Sequence, residues 1–159
     1  MDFFTADICD EHPDKVYVLD GSFKNYGAKQ KVQGTVLTVK LDRNNIELIK
    51  ILRDEDGTGK IVVVDAEDEY FAVVGENLMK FAEKNNYEAI IVNGYVRDTE
   101  QIKDISVALF AKGTCPRKYI PMTQGERGIE LSFGGVKFCE GDYIYADNDG
   151  IILTKEKII

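Results

Sequence analysis

Residues 71–98, FAVVGENLMKFAEKNNYEAIIVNGYVRD, decide the fold of this chain. The segment starts with a short apolar run, 71–74, and contains a second one, 89–92, which is typical of a strand covered on both faces. Between the runs, apolar residues recur at helical spacing: Leu78, Met79, Phe81 and Ala82. Strand, helix and strand at this spacing predict a βαβ unit, with two parallel strands and a right-handed crossover.

Strands are also predicted on the amino-terminal side of this unit. GTVLTVKL (34–41) alternates apolar and polar residues and is rich in β-branched side chains, as half-buried strands are. IVVVD (61–65) is a continuous apolar run and predicts a strand covered on both faces. VYVL (16–19) predicts a shorter strand. With the βαβ unit, these strands predict a chain of the α/β class.

Two more helices and a strand-rich tail complete the predicted secondary structure. One helix, residues 45–54, begins at an asparagine cap, and a short one, residues 5–9, begins at a threonine cap. Residues 107–111 predict a further strand, and the glycine-punctuated tail, 128–154, is rich in strand-forming residues. We therefore expect mixed α/β structure with much sheet in the second half of the chain.

The composition is that of an ordinary globular protein. A length of 159 residues, 44% of them hydrophobic and 30% charged, predicts one domain covering residues 1–159. No apolar run approaches the roughly 20 residues that a membrane span needs. The first twelve residues, MDFFTADICDEH, are acidic and lack the basic start of a signal peptide. We expect a cytoplasmic location and no membrane partner.

The charge balance argues against direct binding of nucleic acid. The formal net charge is −8, whereas contact with a phosphate backbone needs clustered lysine and arginine side chains. The basic residues are scattered, and Arg117-Lys118 is the only adjacent pair in the sequence.

The content of histidine and cysteine narrows the possible chemistry. His12 is the single histidine, which excludes histidine-rich zinc sites and the H-E-x-x-H motif of metalloproteases. Cys9, Cys115 and Cys139 are far apart and form no C-x-x-C pair, so we expect small, buried or half-buried apolar side chains. A metal would then be held mainly by oxygen atoms, which favours Mg²⁺ or Mn²⁺ over Zn²⁺.

One pair of segments could form a ligand site. Arg97-Asp98 follows the second strand of the βαβ unit, and ligands of α/β sheets gather beyond the carboxyl ends of parallel strands. Gly75-Glu76-Asn77-Leu78 would form a helix N-terminus, whose free N–H groups bind carboxylates and phosphates. A second interpretation also fits the spacing: Glu76 as a first-turn acid that favours the helix dipole, and Arg97-Asp98 as a solvated pair in a turn.

Six sequence segments resemble one known family over nearly the whole length of the chain. The chain is similar to the RraA family, which comprises regulators of ribonuclease E activity and class II 4-hydroxy-4-methyl-2-oxoglutarate aldolases. The matching segments are DICD (7–10), GTVLTVK (34–40), GTGKIVVVDA (57–66), VNGYVRD (92–98), FGGV (133–136) and GDYIYADNDGIIL (141–153).

The site segments resemble the aldolase branch of this family. Its members share an acidic residue, twenty intervening residues and then Arg-Asp, a pattern matched here by Glu76, residues 77–96 and Arg97-Asp98. Regulators of the best-known bacterial type generally lack the acid after the arginine. The resemblance therefore implies a divalent-metal-dependent carbon–carbon lyase that cleaves 4-hydroxy-4-methyl-2-oxoglutarate to pyruvate, with oxaloacetate decarboxylation as a side activity.

The resemblance also implies a role for each site residue. The N–H groups of Gly75, Glu76, Asn77 and Leu78 would bind the carboxylate of a small 2-oxo acid. Asp98 would be the protein ligand of the metal, with Mg²⁺ or Mn²⁺ expected. Arg97 would stabilise the pyruvate enolate together with the cation, and Glu76 would orient a metal-bound water as the base.

The fold and assembly of the family are further expectations. The resemblance implies a swivelling β/β/α domain with mixed sheets and a homotrimer with its active site near a subunit boundary. A non-catalytic alternative is an inhibitor that binds ribonuclease E or an RNA helicase, since an acidic trimer could dock onto basic segments. Two weaker alternatives are a Schiff-base aldolase using Lys80 and a phosphohistidine carrier using His12.

Overall fold

The computed structural model describes residues 2–118 and 125–159, and within these ranges the chain forms four helices and twelve strands. The helices are α1 (Thr5–Glu11), α2 (Ile46–Asp54), α3 (Glu76–Lys84) and α4 (Thr99–Ile102). The strands are β1 (Tyr17–Val18), β2 (Lys24–Asn25), β3 (Val32–Lys40), β4 (Lys60–Asp65), β5 (Ala72–Val74), β6 (Ala89–Val96), β7 (Ala108–Thr114), β8 (Glu126–Arg127), β9 (Leu131–Phe133), β10 (Val136–Phe138), β11 (Tyr143–Asp147) and β12 (Gly150–Thr154).

A ten-stranded mixed sheet organises these elements. Its centre is the parallel series β3, β4, β6 and β7, to which β5 adds as a parallel neighbour of β6. Antiparallel strands continue the sheet on both sides, with β11, β12 and β1 beyond β3, and β2 beyond β7. Strands β9 and β10 form a separate hairpin. The predicted mixed α/β class is confirmed.

The central strands bury both of their faces. In β4, Val62 and Val64 pack in the cluster under α2 and α3, whereas Ile61 and Val63 pack in the cluster that includes the β9–β10 hairpin. Strand β6 alternates between the same two clusters. Successive side chains of a strand point to opposite faces, so a run with no polar interruption needs a cover on each side. The two-sided burial predicted for residues 61–65 and 89–92 is therefore confirmed.

Strand β6 changes neighbours partway along its length. It pairs with β4 as far as Asn93 and then with β5, where Tyr95 lies opposite Ala72. At the change, the Asn93 side chain donates a buried hydrogen bond of 3.0 Å to Asp65 Oδ1, which also accepts the Glu67 amide at 2.8 Å. The chain therefore turns away at the end of β4 and returns as β5 along the freed edge of β6.

The predicted cap of α1 is wrong, whereas that of α2 is confirmed. Helix α1 begins at Thr5 and its N-cap residue is Phe4, so Thr5 is not the cap. The cap is supplied by Asp147, 142 residues away, which accepts the Thr5 amide at 2.8 Å and the Thr5 hydroxyl at 2.7 Å. Helix α2 follows an asparagine cap, as predicted: Asn45 is the N-cap residue, and the Asn44 side chain accepts the Ile46 amide at 3.0 Å. Only the cap of α1 therefore differs from what the local sequence indicates.

Helix α4 is absent from the sequence prediction, and the strand predicted at 107–111 continues to Thr114. Within the described ranges, no helix combines the length and the apolar character that crossing a membrane requires.

Replacing Asp147 tests this long-range cap. Burial by itself raises the pKa of Asp147, but hydrogen bonds from Thr5 and Asp149 outweigh it, and the pKa lies below its ordinary value of 3.8. A lowered pKa in the folded state stabilises the fold above that ordinary value, and this stabilisation is lost as the pH falls through the folded pKa. We expect Asp147→Ala to lower the free energy of unfolding by about 1 kcal/mol at pH 7.

Urea unfolding at pH 7 and at pH 3 measures this effect, because the difference between wild type and variant should shrink at the lower pH. Asp104→Asn, at an exposed position, is the control. A difference that is the same at both pH values would contradict the role of the Asp147 carboxylate.

Candidate active site

The two segments singled out in the sequence meet at the carboxyl edge of β5 and β6. Val74 and Val96 lie opposite each other at the ends of these parallel strands, and the Arg97 amide donates to the Val74 carbonyl at 2.9 Å. The Glu76 amide, at the start of α3, donates to Asp98 Oδ2 at 2.9 Å. The structure therefore places Gly75–Leu78 beside Arg97-Asp98, as the βαβ prediction required.

Asp98 connects the starts of two helices. Its side chain accepts an N–H of the first turn of α3, and its backbone carbonyl accepts the Ile102 amide of α4 at 3.0 Å. It is the N-cap residue of α4, in the left-handed conformation with φ 63° and ψ 37°. Aspartate and asparagine tolerate this conformation better than most residues. The position of the carboxylate is therefore fixed twice: the Glu76 amide of α3 holds one of its oxygens, and the start of α4 fixes the Asp98 backbone.

The close approach of Asp98 leaves little room for a side chain at Gly75. Its backbone is extended, with φ −142° and ψ −160°, so any residue could adopt the conformation. A Cβ atom at this position, however, would lie 2.6 Å from Asp98 Oδ2 and 3.4 Å from Arg97 Cγ. Glycine therefore lets the helix start approach the Asp98 carboxylate closely.

The start of α3 offers fewer free N–H groups than the sequence predicted. The Glu76 amide is engaged by Asp98, whereas the amides of Asn77 and Leu78 donate to no acceptor among the described residues. The first turn of a helix leaves such groups unpaired, and they carry the positive end of the dipole. An anion would thus be bound mainly by Asn77 and Leu78.

Two charged side chains flank this helix start. Arg97 is half-buried, and its Nη1 makes one long contact of 3.4 Å with the Pro116 carbonyl, which leaves most of its donors available. The Glu76 carboxylate lies 3.3 Å from Lys80 Nζ, one helical turn further on. Lys80 is 61% exposed, so this ion pair faces solvent and contributes little stability.

Gly75–Leu78 and Arg97-Asp98 line an open cleft with a volume of about 410 Å³. Lys118 also lies in the cleft wall, although its sequence position predicted only a scattered basic pair with Arg117. Lys118 pairs with Ala72 on the free edge of β5, and the Ala72 amide donates to the Arg117 carbonyl at 2.8 Å. No residue spacing in the sequence predicts this placement. Lys118 follows the end of β7 and pairs with β5, which lies much earlier in the chain.

Helix α2 also contributes to the cleft, which the sequence did not predict. Ile46 and Ile49 of this helix line the cleft, together with Phe81 of α3. The Asn45 side chain donates to the Val73 carbonyl at 2.9 Å and so ties the start of α2 to β5. Helical periodicity shows which residues share a face, but not which neighbouring element that face meets.

The donor set suits a hard divalent cation supported by a single carboxylate. Asp98 Oδ1 accepts no hydrogen bond from the described residues, so one oxygen is free while the other is held by Glu76. In residues 2–118 and 125–159, no group of three or more histidine, cysteine, aspartate or glutamate side chains is arranged to bind a metal. Mg²⁺ fits such a site, because it is commonly bound by one or two carboxylates with substrate and water as further ligands.

Histidine and cysteine lie outside this arrangement. His12 ends α1, which packs on β11 and β12. Cys115 is buried and Cys9 and Cys139 are half-buried, in agreement with the sequence prediction. Burial raises the pKa of the Cys9 and Cys139 thiols, which disfavours the reactive thiolate.

Comparisons with known proteins place this chain in a family. The family described as RraA-like, Aldolase/RraA, matches residues 5–153. A Bacillus cereus protein named "Putative 4-hydroxy-4-methyl-2-oxoglutarate aldolase" is 36% identical over 155 residues, which cover 97% of each chain.

Two solved structures are similar to this chain. The RNA-processing inhibitor RraA from Thermus thermophilis superposes with a TM-score of 0.93 at 30% identity, covering 100% of this chain and 96% of that one. A Geobacillus kaustophilus protein, named S-adenosylmethionine: 2-dimethylmenaquinone methyltransferase, also has a TM-score of 0.93 at 31% identity, covering 98% and 97%. Three different activities are thus named on one fold, so the fold does not decide the function.

Two substitutions of Asp98 separate its structural role from any chemical one. Asp98→Asn keeps an acceptor for the Glu76 amide and tolerates the left-handed conformation, so we expect nearly unchanged stability. Asp98→Ala loses the acceptor and adds backbone strain, and it should lower the free energy of unfolding by about 1–2 kcal/mol. Thermal unfolding of the two variants measures the difference. Equal stability of both variants would show that the Glu76–Asp98 hydrogen bond does not support the fold.

Proposed function

We propose that this chain, which belongs to the RraA-like family, is a divalent-metal-dependent 4-hydroxy-4-methyl-2-oxoglutarate aldolase that also decarboxylates oxaloacetate. The observation that carries the proposal is the convergence of the Asp98 carboxylate, the Arg97 guanidinium and the start of α3 on one open cleft. Relatives that bear the aldolase name are similar to this chain over nearly its full length.

The start of α3 would bind the carboxylate next to the 2-oxo group. The free amides of Asn77 and Leu78 can donate to its two oxygens, and the helix dipole favours the negative charge. The same cleft holds Lys118, which is exposed and can neutralise a second carboxylate at the far end of the substrate. A dicarboxylic 2-oxo acid would then be bound at both ends, which limits its possible orientations.

Cleavage breaks the bond between C3 and C4. A base takes the proton of the C4 hydroxyl, a carbonyl forms at C4, and the C3–C4 electron pair becomes the enolate of pyruvate. Arg97 can donate to the enolate oxygen, where the negative charge develops. Protonation at C3 then completes pyruvate, and the C4 fragment leaves as a second carbonyl compound. Glu76, at the rim of the cleft, can orient a water for the first proton transfer.

The metal would bind to the free oxygen of Asp98. When bound, Mg²⁺ or Mn²⁺ supplies Lewis-acid polarisation of the 2-oxo group and lowers the pKa of bound water. The hydrogen bond from the Glu76 amide holds the Asp98 carboxylate in place beside the cleft that Asp98 lines.

The exposure of Lys80 and Lys118 favours this mechanism over a Schiff base. A nucleophilic lysine must lose its proton, which enzymes achieve by desolvation or by a neighbouring cation. Lys80 is 61% exposed and paired with Glu76, and Lys118 is exposed. Neither lysine has a desolvating environment. Oxaloacetate decarboxylation needs no lysine either, because loss of CO₂ leaves the same pyruvate enolate.

The test is pyruvate release from 4-hydroxy-4-methyl-2-oxoglutarate and from oxaloacetate. We expect turnover with Mg²⁺ and its loss with EDTA. Asp98→Asn and Arg97→Met should each reduce kcat/KM by at least about 100-fold, since each removes stabilisation of the developing charge. Asp104→Asn and Arg53→Met, at exposed positions outside the cleft, are the matched controls.

Turnover that persists in EDTA, or full activity of Asp98→Asn, would contradict the proposed mechanism. Asp98→Asn is the decisive variant, because it keeps the hydrogen bond that supports the fold while it removes the negative charge.

A second candidate function is inhibition of an RNA-processing enzyme by direct binding. It is favoured by the similarity to the Thermus thermophilis inhibitor and by a net charge of −8, which suits a basic partner surface. Tagged protein should then retain ribonuclease E or an RNA helicase at physiological salt, and retention should weaken as the salt concentration rises. Failure to retain either purified enzyme would remove this candidate.

A further inference from the structure

A second cleft lies between the two ends of the large sheet and shares no residue with the cleft beside α3. Its volume is about 490 Å³, which is within the range of ordinary ligand pockets. We infer that it binds a short ω-amino acid, a molecule with an ammonium group and a carboxylate at opposite ends of a hydrocarbon chain. This site goes beyond the proposed function, because the cleavage chemistry uses none of its residues.

The walls of this cleft come from opposite ends of the sheet. Strand β1 ends the sheet on one side and β2 ends it on the other, although only residues 19–23 separate the two strands in the chain. Val18 of β1 and Asp149 of the turn between β11 and β12 line the cleft from one end, and Lys24 of β2 lines it from the other. The short link between β1 and β2 therefore brings two separate sheet edges together around one space.

Lys24 and Asp149 are exposed side chains of opposite charge, and neither forms an ion pair within residues 2–118 and 125–159. The Lys24 ammonium lies 5.6 Å from the centre of the Tyr26 ring, which is its one contact among the described residues. Asp149 is held by its backbone amide, which donates to Asp147 Oδ1 at 3.0 Å, so its carboxylate is free. A ligand that carries both charges would bridge the two walls.

The other charged groups of the cleft are already engaged. Asp147 accepts the amide of Thr5 on one oxygen and its hydroxyl on the other. Asp20 Oδ1 accepts the Ser22 amide and hydroxyl, and Lys112 Nζ donates to that hydroxyl at 3.2 Å and so lies near the Asp20 charge. The cleft thus offers one free cation and one free anion, which favours a zwitterion over a simple amine or a simple acid.

Apolar side chains complete the cleft. Leu19, Phe110 and Ile151 line it and belong to the hydrophobic core. Phe23 is half-buried and Val18 is 60% exposed, so both present accessible apolar surface. A hydrocarbon chain that crosses the cleft would cover this surface and gain free energy by leaving water. Charge would then recognise the two ends of the ligand, and apolar contact would recognise its middle.

The test is binding of 6-aminohexanoate, with hexanoate and hexylamine as probes that carry only one of the two charges. Two-dimensional NMR titration of the whole chain gives the dissociation constants from the amides of Gly21 and Asn148, whereas those of Asn77 and Leu78 report binding at the cleft beside α3. We expect 6-aminohexanoate to bind about two- to fivefold more tightly than either single-charge probe, as one additional exposed ion pair allows.

Two charge-removing variants assign the ends of the ligand. Asp149→Asn should weaken 6-aminohexanoate and hexylamine about two- to fivefold and leave hexanoate unchanged. Lys24→Gln should weaken 6-aminohexanoate and hexanoate by a similar factor and leave hexylamine unchanged. Asp104→Asn and Lys103→Gln, at exposed positions outside both clefts, are the matched controls and should leave all three probes unchanged.

Free leucine tests the separation of the two charges. It is an isomer of 6-aminohexanoate in which the ammonium and the carboxylate share one carbon atom, so it cannot reach both walls and should bind more weakly. Equal or tighter binding of leucine would overturn the assignment to an ω-amino acid.

Three further results would overturn the inference: no shift at Gly21 and Asn148, shifts confined to Asn77 and Leu78, or equal weakening of all three probes in either variant. The titration needs neither turnover nor a metal. Its failure would therefore leave the proposed aldolase function standing, and a failure to cleave the 2-oxo acids would leave this site standing.

Discussion

The exchange of partners along β6 is the constraint on which the rest of the site depends. The strand pairs with β4 as far as Asn93 and with β5 from Tyr95, and the buried hydrogen bond between Asn93 and Asp65 lies at the change. A buried carboxylate without a partner would be costly, so this pair holds the two strands in register. The exchange brings the end of β5, and with it the start of α3, beside the end of β6.

The hydrogen bond from the Glu76 amide to Asp98 follows from this placement. It gives Asp98 two roles, because its carboxylate accepts the first N–H of α3 and the same residue lines the cleft. The hydrogen bond between the Glu76 amide and Asp98 brings the carboxylate close to Gly75, which leaves no room for a side chain there. It also occupies the first N–H of α3, so that group is not free for a substrate. The anion-binding capacity of the helix start shifts to Asn77 and Leu78.

Proteins named for an aldolase, an RNA-processing inhibitor and a methyltransferase are all similar to this chain. The backbones of the two solved structures are nearly the same as that of this chain, so the choice among these functions depends on side chains. Under the proposed function, Arg97 and Asp98 of the cleft would stabilise the charge of an enolate. A protein-binding function that used a surface outside the cleft would be compatible with this activity.

Local patterns in the sequence predicted the βαβ unit, the two-sided burial of β4 and β6, and the meeting of Gly75–Leu78 with Arg97-Asp98. These features follow from periodicity and from the rule that parallel strands end at one edge, which act over a few residues or within one unit. Only the tertiary structure decided that Asp147 caps α1, that Lys118 reaches the cleft and that Ile46 faces it. Each of these contacts joins elements far apart in the chain, and their packing depends on how every intervening segment folds.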